Sequence, residues 1–190
     1  LDFNNGYDHH LIFEGLNEPR ISGHKYEWNY RKNDPDCEEA AEVLNEYMTL
    51  IVKAIRESGG NNEKRFIMIT PLAASYQSAA DSKVLFPDDS KYNSRNNKLI
   101  LSVHMYTPYN FALNPDMNYT KFIDAFREEL YEDFSTLYKK YTSKGHNVII
   151  GEMGTINKNN TEDRIEWAKY YVKKEEKKEE SQIYSFEFLM

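Results

Sequence analysis

The sequence predicts an α/β fold in which buried parallel strands alternate with helices. Short apolar runs that end at proline, glycine or polar residues alternate with longer segments whose apolar residues recur at helical spacing. Two of these runs lead to a glutamate, at the point where α/β folds present their chemistry. The 190 residues suffice for one domain with a core, but a closed (β/α)8 barrel needs about 250 residues.

The first predicted strand lies within residues 11–20, which read Leu-Ile-Phe-Glu-Gly-Leu-Asn-Glu-Pro-Arg. Its apolar first half is typical of a strand that is buried on both faces. Pro19 has no N–H to donate to a neighbouring strand, and it restricts Glu18 to extended geometry. The pattern therefore predicts that the Glu18 carboxylate lies at the C-terminal end of a buried strand. The alternative is that Glu18 merely caps a loop.

A loop to about residue 34 follows and contains Trp28. Loops after strand ends often carry function, so an exposed Trp28 would offer a platform for a sugar ring, whereas packing onto the rim of the fold is the alternative. Asp34 and Pro35 then begin the first helix as N-cap and first-turn residue, and Gly59 and Gly60 close it. Its predicted buried stripe consists of Ala40, Leu44, Tyr47, Met48, Ile51 and Ile55.

Two further strands are predicted at residues 66–70 and 98–106, with a long polar loop between them. Both end at a proline, Pro71 and Pro108. His104 and Tyr106 are two residues apart, so their side chains point the same way at the C-terminal end of their strand. A lone histidine on a strand is usually structural, but a histidine and a tyrosine together, in a chain with two such glutamates, indicate a functional site.

The second half of the chain continues the alternation. A helix is predicted over residues 119–143, with Gly145 as its end, and the strand at 148–152 reads Val-Ile-Ile-Gly-Glu and ends in Glu152. Thr161 caps a third helix whose apolar positions are Ile165, Ala168 and Val172, and residues 182–188 form the last predicted strand. Because we find no internal repeat and no linker, residues 1–190 are predicted to form a single domain.

Composition excludes several classes of partner. The formal net charge of −7 opposes binding to nucleic acid, whose phosphates would be repelled. No apolar run approaches the length of a membrane span, and no signal peptide opens the sequence. The single cysteine, Cys37, excludes an intrachain disulfide. Aromatic residues make up 14% of the chain, which suits a sugar-binding cleft as well as a packed core.

Three of the predicted strands resemble the motifs of one family. Residues 12–20 resemble the Asn-Glu-Pro motif of glycoside hydrolase family five, a family of retaining cellulases and related enzymes with (β/α)8 barrels. Residues 101–108 are similar to its His-x-Tyr strand, and residues 149–154 to its nucleophile strand. The resemblance extends from about residue 7 to residue 172. It implies a partial (β/α)8 TIM barrel that corresponds to about strands 4–8 with the intervening helices, truncated at its N-terminal side.

The resemblance implies roles for individual residues. Glu18 would be the general acid/base and Glu152 the nucleophile, so that two carboxyl groups about 5–5.5 Å apart cleave a glycosidic bond with retention of configuration. Tyr106 would donate a hydrogen bond that orients Glu152 and stabilises its ionised form.

The substrate-binding residues are expected beside this pair. Asn17 would bind the 2-hydroxyl of the sugar, and His104 would line the cleft. Trp28 is the candidate for stacking. No metal ion and no other cofactor is expected, since the family needs none and no convincing cluster of metal ligands is present in the sequence.

Two departures from the family pattern weaken the match. The first three strand–helix units of the family have no counterpart here, and about five strands cannot close a barrel. Either the chain is a piece of a longer protein, or another copy covers the open edges, which would produce self-association. The family usually has a tryptophan at its eighth strand, whereas this chain has Phe186 and Phe188. One of these would stack on the sugar instead, or the tail is unrelated to the family ending.

The sequence therefore predicts a retaining endo-β-1,4-glucanase that cleaves internal bonds of cellulose or a related β-glucan. Its partner would be a β-glucan polysaccharide or oligosaccharide, and secretion is implied by the resemblance alone. One alternative is an incomplete barrel that binds glucan weakly or is inactive. Another is a remnant without any ligand. Related enzymes split mannan, xyloglucan and lichenan with nearly the same strands, so the substrate preference stays open.

Overall fold

A computed structural model describes residues 7–8, 10–92, 98–176 and 183–185, the last three and residues 173–176 by backbone alone. The chain forms two compact units, residues 1–103 and 104–190. Each unit is an assembly of parallel strands and helices, as predicted. The expectation that residues 1–190 act as one catalytic domain stays a prediction.

The described residues of the first unit form three strands and two α-helices. In chain order they are β1 (Phe13–Glu14), α1 (Pro35–Glu57), β2 (Ile67–Ile69), α2 (Tyr76–Asp81) and β3 (Leu99–His104), whose last residue begins the second unit. β1 pairs in parallel with β2, with Phe13 opposite Ile67, and β2 pairs in parallel with β3, with Ile67 opposite Leu99. Short 3-10 helices lie at Gly60–Glu63 and Leu72–Ala74.

β1 differs from its prediction. It is only two residues long, Phe13 is half-buried and Glu14 is exposed. The backbone N–H groups of Phe13 and Gly15 donate to the carbonyls of Phe66, just before β2, and of Met68 within it, and no described residue of this unit pairs with the opposite edge of β1. The prediction that this strand is buried on both faces was therefore wrong, since Phe13 is only half-buried and Glu14 points to solvent. By contrast, every residue of β3 is buried.

α1 confirms its predicted start and most of its length. The Asp34 side chain accepts a hydrogen bond from the backbone N–H of Cys37, and Pro35 occupies the first turn. The buried stripe begins at Cys37 and continues seven residues later with a repeat of four: Leu44, Met48, Val52 and Arg56 are buried. Tyr47 was wrongly placed in this stripe. It lies one residue off the repeat, about 100° around the helix, and is 54% exposed.

The segment predicted as a polar loop contains α2 and a buried ion pair. Ser75 caps α2 by accepting from the backbone N–H of Ser78. Asp89 pairs with Arg56, whose guanidinium also donates to the carbonyls of Asn62 and Arg65. Asp89 thus ties this part of the loop to the end of α1.

In the second unit, the part of the chain that the structure describes forms three α-helices and two strands. In chain order they are α3 (Tyr109–Ala112), α4 (Asp124–Lys140), β4 (Asn147–Glu152), α5 (Thr161–Glu176) and β5 (Ile183–Ser185). β4 and β5 pair in parallel, with Val148 opposite Ile183. Short 3-10 helices at Met117–Tyr119 and Thr142–Lys144 flank α4, which is shorter than the predicted helix, and Gly145 follows with a φ of 84°.

The buried face of α5 differs from its prediction. Ile165, expected inside, is 50% exposed, whereas Trp167 and Tyr171 are buried. Their rings pack on one another with centroids 5.0 Å apart, and Tyr171 packs on Phe134 of α4 at 5.0 Å. Aromatic rings from α4 and α5 therefore pack together in the core of this unit. Among the residues that the structure describes, no helix combines the length and apolar character needed to cross a membrane.

Candidate active site

Glu152 ends β4, and its carboxylate contacts the side chains of His104, the last residue of β3, and of Tyr106, two residues further along the chain. The hydroxyl of Tyr106 donates to Oε2 of Glu152 at 2.8 Å. Nδ1 of His104 lies 3.4 Å from the same oxygen. The Glu152 side chain remains 37% exposed, whereas that of His104 is only 4% exposed. The structure thus brings together Glu152, His104 and Tyr106 as the sequence predicts.

Strand geometry explains this cluster. β3 ends at His104, and the N–H of Met105 donates to the carbonyl of Glu152 at 2.9 Å. His104 and Tyr106 therefore point to the same side from alternate positions of one extended segment, with Glu152 beside them. Tyr106 lies two residues beyond the assigned strand and still keeps the direction that the strand sets.

Three residues that support this segment were missed by sequence reasoning. Trp167 donates from Nε1 to the carbonyl of Thr107 at 2.9 Å, and the hydroxyl of Tyr171 donates to the carbonyl of Met105 at 3.2 Å. The hydroxyl of Thr107 makes a very short hydrogen bond to the buried carboxylate of Asp133. The only signal was the four-residue spacing of Trp167 and Tyr171, which marks one helix face but not its partners.

Glu18 lies in the first unit, four residues after the end of β1. It is half-buried, and Asn17 beside it is exposed. The prediction that Glu18 ends the strand is corrected, because the strand ladder stops at Glu14 and residues 15–20 form the connecting loop. Pairing of Glu18 with Glu152 stays a prediction.

This loop is fixed by its backbone. The N–H of Ala73 donates to the carbonyl of Pro19 at 2.7 Å, and Nη1 of Arg20 donates to the carbonyl of Glu18 at 3.2 Å. Ala73 and Ala74 both adopt left-handed conformations, with φ of 54° and 48°. Two consecutive non-glycine residues in this region are strained, a feature that clusters at functional sites.

Trp28 is 51% exposed and carries a cation on its ring. The guanidinium of Arg20 lies 4.1 Å from the ring centroid and also donates to Glu27 at 2.9 Å. Hydrogen bonds from the Gly23 N–H and from Arg20 lower the pKa of Glu27 below its ordinary value. Arg20 is therefore held over one face of the indole, and the role of Trp28 in stacking stays a prediction. Phe186 and Phe188 lie outside the described residues.

In the first unit, His24, Asp34 and Cys37 bring potential metal-ligand atoms within 4.8 Å of one another. Their hydrogen bonds favour a helix cap instead. Burial raises the pKa of the Cys37 thiol, which keeps it protonated. Burial of Asp34 acts to raise the pKa of its carboxyl, but hydrogen bonds from Lys25 and the Cys37 N–H outweigh it and lower this pKa. A lysine ammonium 3.2 Å from Asp34 already supplies the cation.

Comparison with known proteins identifies similar sequences over almost the whole chain. The family model described as Cellulase (glycosyl hydrolase family 5) matches residues 2–184. Endoglucanase 1 of Ruminococcus albus is 45% identical over 170 residues, which cover 88% of this chain and 38% of that protein. The chain therefore spans well under half of this relative.

Solved structures agree with this relationship. A glycoside hydrolase family 5 lichenase from Caldicellulosiruptor sp. F32 matches with a TM-score of 0.85 and 36% identity, over 94% of this chain and 48% of that one. A variant of that lichenase in complex with cellotetraose also matches with a TM-score of 0.85, at 35% identity and over the same shares of both chains. These matches confirm the predicted fold class, a partial (β/α)8 barrel.

Proposed function

The chain belongs to glycosyl hydrolase family 5, as its three strand motifs predict, and from this premise we propose that it is the C-terminal part of the catalytic (β/α)8 barrel of a retaining endo-β-1,4-glucanase. Glu152 would be the nucleophile and Glu18 the general acid/base. The observation that carries the proposal is the half-exposed Glu152 carboxylate, which has Tyr106 at 2.8 Å and His104 at 3.4 Å on one oxygen. A carboxylate at the end of a barrel strand, held by a phenol, is suited to attack a sugar carbon.

The proposed reaction has two displacements. In the first, an oxygen of Glu152 forms a bond to the anomeric carbon while the glycosidic C–O bond breaks and Glu18 gives its proton to the leaving oxygen. In the second, water attacks the anomeric carbon of the glycosyl ester, Glu18 takes the proton of that water, and Glu152 leaves as a carboxylate. Net retention follows from two inversions. The two carboxyl groups must stand about 5–5.5 Å apart for direct attack.

The contacts of Glu152 suit this role. Tyr106 and His104 both approach Oε2, and no described residue donates to Oε1, so Oε1 is the oxygen that we assign to attack. Holding one oxygen fixes the rotation of the carboxylate, which brings the other into a defined position. Such positioning supplies a large part of the rate in displacement reactions.

The nucleophile assignment is tested with 2,4-dinitrophenyl β-cellobioside. Glu152→Ala should abolish hydrolysis, and added azide should restore turnover with an α-glycosyl azide as product, because azide then takes the place of the carboxylate. Glu18→Ala should still form the glycosyl enzyme from this activated substrate and yield a β-glycosyl azide. The exposed Glu162 on α5 provides a control, since Glu162→Ala should keep wild-type activity. Failure of azide to rescue Glu152→Ala would remove the nucleophile role.

The substrate is proposed to be a β-glucan. The relatives are named endoglucanase or lichenase, and one structure contains cellotetraose. We propose Asn17, His104, Tyr106 and Trp28 as residues that contact the sugar, and secretion as the location, because such a polymer does not enter cells. Reducing ends released from soluble glucans, and activity in the culture supernatant of an expressing cell, test these two proposals.

Two alternatives remain distinct outcomes. Cellotetraose that binds in calorimetric titration but is not turned over between pH 4 and 9 would indicate a fragment that binds glucan without catalysis. Absence of both binding and turnover would indicate a barrel remnant without a ligand. Either result contradicts the endoglucanase proposal for this chain.

We also propose self-association through the first unit. β1 has one described neighbouring strand, and Val43, Tyr47 and Leu50 of α1 are exposed at helical spacing. An open strand edge and an exposed apolar helix face are both surfaces on which a second copy would pack. Sedimentation velocity should show a concentration-dependent dimer that Leu50→Glu weakens, and a monomer at all concentrations would contradict this proposal.

A further inference from the structure

The backbone around Tyr106 is held by buried aromatic donors from a helix. The carbonyl of Met105 accepts from the hydroxyl of Tyr171 at 3.2 Å, and the carbonyl of Thr107 accepts from Nε1 of Trp167 at 2.9 Å. These two carbonyls belong to the residues directly before and after Tyr106. Both donors come from α5, one helical turn apart, so they contact the two sides of a single residue.

The donors themselves are rigid. Trp167 is 3% exposed and Tyr171 is fully buried. Their rings lie 5.0 Å apart, and Tyr171 also packs on Phe134 at 5.0 Å in a nearly perpendicular arrangement. Close-packed aromatic rings lack room to change rotamer, so each donor stays at one position. The position of α5 therefore fixes the position of residues 105–107 through these two hydrogen bonds.

Trp167, Tyr171 and their two carbonyl contacts are called the clamp below, and two further hydrogen bonds hold the same segment. The Met105 N–H donates to the Glu152 carbonyl, and the Thr107 hydroxyl bonds to the buried Asp133 carboxylate on α4. Residues 105–107 lie outside any regular strand, yet their polar groups are taken up by fixed partners on both sides of Tyr106. A segment held in this way has little freedom to tilt the phenol that it carries.

We propose that Trp167 and Tyr171 are positioning residues that aim the Tyr106 hydroxyl at Glu152 and thereby fix the carboxylate for attack. The inference rests on the proposed nucleophile role of Glu152 but not on the identity of the glucan. Neither residue is assigned a contact with the substrate. A phenol hydroxyl lies far from its own Cα, so a small rotation of the 105–107 backbone displaces it by much more than the backbone moves. The 2.8 Å bond to Oε2 is consequently sensitive to the loss of either donor.

The chain offers a matched control on the same helix. The hydroxyl of Tyr170 donates to the carbonyl of Arg127 at 3.2 Å, the same donor type and distance as for Tyr171. Arg127 belongs to α4, so this bond joins two helices and leaves residues 105–107 untouched. Tyr170→Phe and Tyr171→Phe remove the same atom from adjacent residues, and the clamp predicts an effect on Tyr106 for the second alone.

The first measurement reports on Tyr106 whether or not the chain turns over substrate. Tyrosine labelled with 13C at Cζ gives a resonance that responds to the hydrogen bond of the hydroxyl, and the Tyr106 signal is identified by its loss in Tyr106→Phe. We expect Trp167→Phe and Tyr171→Phe to shift this signal, and Tyr170→Phe to leave it in place. Each variant keeps an aromatic ring in the core, and thermal melts verify that it is folded. An unmoved Tyr106 signal in both folded clamp variants would overturn the proposal.

The second measurement asks for the kinetic consequence. With 2,4-dinitrophenyl β-cellobioside, each clamp variant should lose about tenfold in kcat with KM within twofold, since misplacement of a reacting group affects the chemical step. In the Tyr106→Phe background the same substitutions should cost less than twofold, because the group through which they act is gone. Full additivity would show that the residues act on the fold generally, and would overturn the positioning role.

The two measurements separate this inference from the proposed function. A shifted Tyr106 signal in a chain without any hydrolysis upholds the clamp and contradicts the endoglucanase proposal. Hydrolysis that requires Glu152 but is insensitive to Trp167→Phe and Tyr171→Phe upholds the endoglucanase proposal and contradicts the clamp.

Discussion

The ion pair between Arg56 and Asp89 leads to a quantitative prediction for the first unit. Nε and Nη2 of Arg56 contact the two carboxylate oxygens of Asp89 at 2.7 and 2.8 Å. The side chains of Arg56 and Asp89 are 0% and 9% exposed. Nη1 of Arg56 donates to the carbonyls of Asn62 and Arg65 at 2.6 and 2.8 Å. The perturbation is Asp89→Asn, which keeps the shape of the residue and removes its charge.

The expected cost follows from burial. Removal of one partner of a buried ion pair costs about 3–5 kcal/mol, because the remaining charge stays desolvated and uncompensated. Asparagine retains one acceptor oxygen, so one of the two hydrogen bonds can persist, and we expect the lower end, about 3 kcal/mol. A domain is stable by about 5–15 kcal/mol in total. The loss is therefore a substantial fraction of the stability of the chain.

The consequence reaches the segment that leads to Glu18. The carbonyl of Arg65 accepts a hydrogen bond from Arg56. Arg65 is fully buried, and its guanidinium donates to the carbonyls of Asp8 and Leu11, just before β1. Its guanidinium also lies 4.5 Å from the ring centroid of Phe13. Loss of the Arg56 anchor should loosen this segment together with the end of α1.

Urea denaturation followed by far-UV circular dichroism measures the effect. With an m-value of about 2 kcal/mol/M, a loss of about 3 kcal/mol lowers the midpoint by about 1.5 M. Asp88→Asn is the matched control, since Asp88 is exposed and its carboxylate bonds only locally, to the backbone and hydroxyl of Ser90. That substitution should shift the midpoint by less than a third as much. Equal shifts for the two variants would refute the reasoning about burial.

Three further outcomes are expected. Ser102 is buried, and its hydroxyl has no hydrogen-bond partner among the described residues. Ser102→Ala should therefore raise the free energy of unfolding by about 1 kcal/mol in urea titration. A lower free energy of unfolding in this variant would contradict the prediction. Burial, together with Lys144, lowers the pKa of His146 in the folded chain below 6.5. As the pH falls, His146 is therefore protonated in the unfolded chain before it is protonated in the folded chain. The neutral His146 therefore contributes stability above pH 6.5, and this contribution is lost as the pH falls below that value. Thermal melts should show that His146→Gln loses less stability than wild type between pH 7.5 and 5.5. Trp28→Ala should weaken cellotetraose binding about three- to tenfold in calorimetry, as removal of a stacking ring does, while Trp28→Phe should retain most of the affinity.

Local patterns made part of this fold predictable. The start of α1 follows from Asp34 and Pro35, whose effects operate within one turn, and the structure shows both in place. The common direction of His104 and Tyr106 follows from the two-residue period of an extended chain. Their distances of 3.4 and 2.8 Å from Glu152 confirm that prediction. In both cases the deciding interaction lies within a few residues or along one strand.

The errors lie where partners are distant in sequence. Arg56 is buried only because Asp89, 33 residues away, neutralises it, and a charged residue on a helix ordinarily indicates the solvent face. On α5 the sequence pattern favoured Ile165, yet Tyr171 is inside because its hydroxyl reaches a carbonyl 66 residues away. Tyrosine and tryptophan combine an apolar body with a polar end, so hydrophobic periodicity alone does not assign their side of a helix.

The supporting contacts also explain why a site at strand ends depends on the helix layer. Tyr106, the phenol partner of Glu152, sits on a segment whose carbonyls accept hydrogen bonds from Trp167 and Tyr171 of α5. Loops alone would leave Tyr106 free to tilt, since residues 105–107 have no strand ladder of their own. Trp167 and Tyr171 restrict this tilt, because core packing fixes their rings while their polar ends donate to the backbone carbonyls of residues 105 and 107. A substitution that changes the packing of α5 should therefore displace the Glu152 carboxylate even when it leaves β4 stable.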